Sequence, residues 1–129
     1  MALTVETRSW PEIVEFYRRL VTDSGCEFGP MLELVESLAT SPYSADLFPA
    51  TSLARLCMAR TRTIRWSHAM LAVEYDPVGE RFVFEYFEAA SNPKPWVTTC
   101  PASDGRAWIE RLLKKRLRWF RDTRPASNA

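Results

Sequence analysis

The chain has 129 residues, 47% hydrophobic, 26% charged and 12% aromatic, with a net charge of +1. That length suits one domain able to fold without disulfides or a metal, and the composition excludes a disordered polar tract. The small net charge conceals an uneven distribution. Residues 1–50 hold three arginines against eight acids (−5), and residues 106–124 hold eight Lys/Arg against two acids (+6).

The opening MALTVETRSW lacks the basic region, apolar run and cleavage site of a signal peptide, and no apolar run approaches the ~20 residues of a membrane span. Cys26, Cys57 and Cys100 are odd in number and far apart, without a CxxC, as expected of reduced thiols. Together these features predict a soluble cytoplasmic protein. We expect a single α+β domain over residues 1–129, flexible at about 1–8 and 123–129.

In chain order, Ser9-Trp10-Pro11-Glu12 reads as a capping box opening a helix that runs to about Thr22. Trp10, Ile13, Val14, Tyr17, Leu20 and Val21 line its apolar side. Gly29-Pro30 opens a second helix, with Met31, Leu34, Val35 and Leu38 inward, and Ser41-Pro42 ends it. Residues 42–51 hold two prolines and read as a loop, and 52–60 as a strand, although helical spacing fits that short run too.

Residues 69–75 and 81–88 alternate with period two around Asp76-Pro77-Val78-Gly79, a β-hairpin whose Gly79 can take positive φ. Residues 90–95 read as a loop and Trp96–Cys100 as a short strand ended by Pro101. Ser103 can cap a last helix reaching about Asp122, with Trp108, Ile109, Leu112, Leu113, Leu117, Trp119 and Phe120 on one side. The expected fold is α+β: two N-terminal helices, a three- to four-stranded antiparallel meander, and a long C-terminal helix packed on one face.

Chemistry is sparse. His68 is the only histidine, so an enzyme would have to join it to Cys57 or Cys100 and to one of Glu74, Glu85 or Glu88. The cysteines lack the spacing of a zinc site, and four glycines cannot supply a phosphate loop. No catalytic residue, metal or cofactor is therefore expected, and no motif specific to a family stands out.

The sequence favours a non-enzymatic module that binds a protein partner. Trp66 and Trp96 are its candidate anchors, because Trp and Arg dominate binding hot spots. The basic run Arg60, Arg62, Arg65 ending at Trp66, together with the outer face of the last helix, offers an alternative, a nucleic-acid surface. Arg116 is a separate case. At 100° per residue it falls within the apolar arc of the last helix, so it should pair with an acid such as Glu15 or Glu36 or snorkel to water. A ligand-gripping role, which makes it a further candidate binding residue, is the alternative. A small enzyme built on His68 is the remaining reading.

Overall fold

The computed structural model describes residues 4–24, 26–65, 69–87 and 96–120. Helix α1 (Trp10–Ser24) begins at the expected cap: the Ser9 N–H donates to Glu12 Oε1 at 3.1 Å, and the Glu12 N–H donates to Ser9 Oγ at 3.3 Å. This hydrogen bonding, led by the Ser9 backbone amide, holds the Glu12 carboxyl below its ordinary pKa. Trp10, Ile13 and Tyr17 are buried, and the Trp10 indole N–H donates to the Leu47 carbonyl at 2.9 Å. Helix α2 (Gly29–Ala39) places Pro30 in its first turn and buries Met31, Leu34, Val35 and Leu38. Arg18 joins the two helices, reaching Glu15 at 3.2 Å and Glu36 at 3.5 Å, and Arg19 also reaches Glu15 at 3.4 Å. With Arg8–Glu12 at 3.6 Å, all three arginines of the acidic half are engaged by its own carboxylates, Glu12, Glu15 and Glu36.

The main sheet has five antiparallel strands, one or two more than expected. Strands β2 (Phe48–Ser52) and β3 (Arg55–Ala59) form one hairpin. A separate ribbon joins β1 (Thr4–Glu6) to β4 (Thr63–Arg65). Strands β5 (Met70–Asp76), β6 (Arg81–Phe87) and β7 (Trp96–Pro101) complete the meander, in spatial order β2-β3-β5-β6-β7. Two expectations change: residues 48–51 of the expected loop are an edge strand, and residues 4–6 of the expected flexible start are paired. Pro49 sits in that edge strand, where a missing N–H is tolerated, and its carbonyl accepts from the Arg8 N–H at 2.8 Å.

Register divides the sheet into two faces. Leu56, Met58, Leu71, Val73, Phe82, Phe84 and Cys100 share one, and all are buried in the core that also takes α1, α2 and the last helix. Each fully buried Leu or Phe contributes roughly 1.5–3 kcal/mol. Ala50, Cys57, Ala59 and Ala72 share the other face, where Ile64 of the ribbon packs on them. Their small side chains let the ribbon lie close.

The last helix departs most from expectation. Helix α3 (Gly105–Arg111) continues into one wide turn, Leu112–Arg116, in which the Leu117 N–H reaches the Leu112 carbonyl at 2.8 Å. Arg118 then takes φ 56°, and the Trp119 N–H closes back on the Leu113 carbonyl at 2.9 Å. A left-handed residue with N–H groups folded back onto earlier carbonyls is a helix stop. The helix therefore ends before Leu117 instead of near Asp122, and Trp119 and Phe120 turn in to pack edge-on against Tyr86 and Tyr43.

Candidate functional site

Two of the expected binding residues meet. The Arg116 guanidinium lies 4.5 Å from the centre of the half-buried Trp96 ring. Arg116 is exposed and is neither buried nor paired with Glu15 or Glu36, which both engage Arg18. The wide turn explains the correction, because each of its residues advances less than 100° and rotates Arg116 out of the apolar arc. Arg111 similarly covers Trp108 at 5.4 Å. Such contacts contribute about 0.5–1 kcal/mol at exposed sites.

Arg60 and Arg62 are exposed on the β3–β4 connection, where Arg62 stands 5.7 Å over the Phe48 ring. Arg65 ends β4 opposite Thr4. Register places Phe48, Ala59, Met70, Phe87 and Trp96 at one end of the two sheet edges and the strands between, so this end carries the sequence-nominated cations. Trp66, His68 and Glu88 lie outside the described residues. So does the convergence that an enzyme built on His68 would need.

Of the two described thiols, Cys57 lies beside Arg55 and Glu85, and Cys100 lies near Asp104. Cys57 and Cys100 are both buried and unbridged, and register puts them on opposite faces of the sheet. Burial raises the pKa of each, that of Cys100 to about 11, so both are protonated at neutral pH. Glu85 is held by Arg55 at 3.2 Å. Among the described residues no cluster of three His, Cys, Asp or Glu could hold a metal ion.

The opposite end of the sheet presents a different surface, built on two hairpin tips. Ser52 pairs with Arg55, leaving Leu53 and Ala54 as a two-residue turn. Leu53 has φ 58° and is 95% exposed. Two-residue hairpin turns demand positive φ, normally supplied by Gly, Asn or Asp. The turn is clamped from below, since the buried Tyr17 donates its hydroxyl proton to the Ala54 carbonyl at 3.1 Å. The second tip is the turn between Asp76 and Arg81. Here the left-handed residue is Glu80, φ 50°, rather than the expected Gly79. The Asp76 carboxylate accepts from the Val78 N–H and from Arg81 Nε, each at 3.1 Å, and its pKa is held low chiefly by the Gly79 N–H. That geometry leaves Val78 95% exposed.

Between the tips and the start of α2 lies an open groove of ≈ 530 Å³. Phe28, Met31, Leu53, Ala54, Tyr75 and Pro77 supply its apolar lining, and Glu27 and Glu74 stand exposed on it. Neither carboxylate has a hydrogen-bond or ion-pair partner among the described residues. A groove of similar size along α1 has most of its rim charges paired, as Arg8–Glu12 and Arg19–Glu15, with the exposed Asp23 also on its lining. Sequence reasoning missed the tip groove. Glu74 drew notice only as a possible acid or base, and Leu53 was read as the start of a strand because Ser-Leu-Ala-Arg carries no turn signature.

No protein family, curated protein or solved structure matches the chain. No helix among the described residues is long and apolar enough to cross a membrane.

Proposed function

We propose that this protein is a non-enzymatic module that binds a partner protein, and that it does so with the hairpin-tip end of its sheet. The observation that carries the reading is Leu53, a large apolar side chain almost fully in water and held in a backbone conformation that costs roughly 1–2 kcal/mol for an L-residue. Folding gains nothing from such a residue, whereas an exposed apolar anchor beside a groove is what a protein interface uses. Val78, equally exposed on the neighbouring tip, enlarges the patch. The anchors nominated from sequence were Trp66 and Trp96. Of these, Trp96 is already covered by Arg116, which supports moving the reading to the other end of the sheet.

Site-specific photocrosslinking in the cells of origin tests this. A benzophenone side chain placed at position 53 or 78 should give one shared protein adduct, and the same probe at the exposed Thr22 or Arg111 should not. No adduct from 53 and 78, or equal adducts from all four positions, would end the proposal. One observation favours a second reading: the Trp96–Arg116 stack lies at the same end of the sheet as Arg60 and Arg62, an arrangement of cations beside an aromatic ring suited to single-stranded nucleic acid. Binding of an oligonucleotide that weakens steeply with salt and with Trp96→Ala would support it.

A further inference from the structure

Resting on that reading, we infer that the tip groove selects a partner segment in which large apolar side chains alternate with lysine or arginine. The lining supplies the apolar half of the argument. Phe28, Tyr75 and Pro77 are partly or fully exposed in the groove, with the buried Met31 behind them and Leu53 projecting at its rim. A groove open to solvent between two loop tips fits an extended chain that inserts alternate side chains.

The charges supply the other half. Three charged side chains line the groove, and the one cation, Arg55, is engaged at 3.2 Å by Glu85, which shares its sheet face. Glu27 and Glu74 are left as its uncompensated charges among the described residues, one at the α2 side and one on β5. Glu80 adds a third exposed carboxylate on the adjacent turn. An acidic partner segment would meet like charge from both sides. A neutral one would leave both carboxylates without a counterpart, and only a cationic one complements them. Two carboxylates on an apolar groove, Glu27 beside α2 and Glu74 on the sheet face it shares with Ala72, therefore favour basic side chains next to the apolar ones of the occupant.

The test uses the full chain and three fluorescein-labelled peptides of about ten residues, read by fluorescence anisotropy: alternating Leu/Lys, Leu/Gln and Leu/Glu. Glu27→Gln with Glu74→Gln, and Leu53→Ser, serve as variants, with thermal unfolding confirming that each is folded. All three positions are exposed, so none should unfold the protein. The Leu/Lys peptide should bind, the Leu/Gln peptide about tenfold more weakly and the Leu/Glu peptide more weakly still, because two exposed ion pairs amount to roughly one decade. The double glutamine variant should bind Leu/Lys and Leu/Gln alike, and Leu53→Ser should weaken both.

Equal affinity of the wild type for Leu/Lys and Leu/Gln would overturn the charge selection while leaving protein binding at the tips intact. Leu/Lys binding that is indifferent to Leu53→Ser would overturn the groove as its site. If no peptide binds and position 53 also gives no crosslink, the interaction reading falls together with this one. If the protein instead assembles with rising concentration, and the double variant abolishes that assembly, the occupant is a second copy presenting its basic end, and the inference of a separate partner is overturned.

Discussion

The two ends of the sheet are built from similar materials and differ in how far the fold itself uses them. At the end holding Trp96, cations rest on rings: Arg116 on Trp96 and Arg62 on Phe48, with Trp119 buried against Tyr86. At the hairpin-tip end, Leu53 and Val78 face water and Glu27 and Glu74 stand without a partner among the described residues. The sequence draws attention to the first end because its residues are conspicuous, a basic run and tryptophans. Several of those conspicuous residues engage one another. The inconspicuous ones left unsatisfied are the better guide to what the surface meets.

The sharpest way to break this contrast is to remove a ring from the satisfied end. Trp119→Ala should lower stability by about 3 kcal/mol in urea denaturation, because it empties a large buried site and frees the residues after the wide turn. Photocrosslinking from position 53 should be unchanged in that variant under conditions where it remains folded. A small loss, below about 1 kcal/mol, would mean that Trp119 is not integrated as its burial shows. Arg116→Ala should cost less, about 0.5–1 kcal/mol, and should shift the tryptophan emission as Trp96 becomes more accessible. The smallest effect belongs to Asp76 at the tip end. Its pKa is depressed in the folded state, so the stability it contributes is present above the ordinary carboxylate range and is lost as pH falls through the lowered value. Asp76→Asn should therefore lower stability slightly near neutrality and flatten the acid limb of a stability-against-pH curve, so that the variant and wild-type curves converge at low pH. An unchanged acid limb would show that the turn draws no stability from this charge.

What could be read from sequence was local and regular. Alternation over 69–75 and 81–88 around Asp76–Gly79 pointed to the β5–β6 hairpin, and Ser9 with Glu12 to the start of α1, because each signal lies within a few residues. Strand β2 was hidden because Pro49 argues against a strand and only its edge position reconciles the two. Strand β4 is three residues long and gains its place by pairing with β1, some sixty positions earlier, which no local pattern reports. The helical periodicity of residues 105–122 is real, yet it does not decide where the helix stops. Packing of Trp119 on Tyr86 and Phe120 on Tyr43 requires the wide turn and the left-handed Arg118, so tertiary contacts override propensity there. The candidate site was illegible for a related reason. Whether Leu53 is core or anchor depends on a turn that Ser-Leu-Ala-Arg does not announce and that the distant Tyr17 hydroxyl helps to fix.

The central claim is that Leu53 is kept for contact with a partner and against the interest of the fold. Equilibrium urea denaturation of Leu53→Gly tests it most directly. Glycine accepts φ 58° without a clash, and no buried surface is lost because the side chain is 95% exposed. The account predicts a variant more stable than the wild type by about 1 kcal/mol at an unchanged slope. A variant less stable than the wild type would show that Leu53 supports the fold and would contradict the claim.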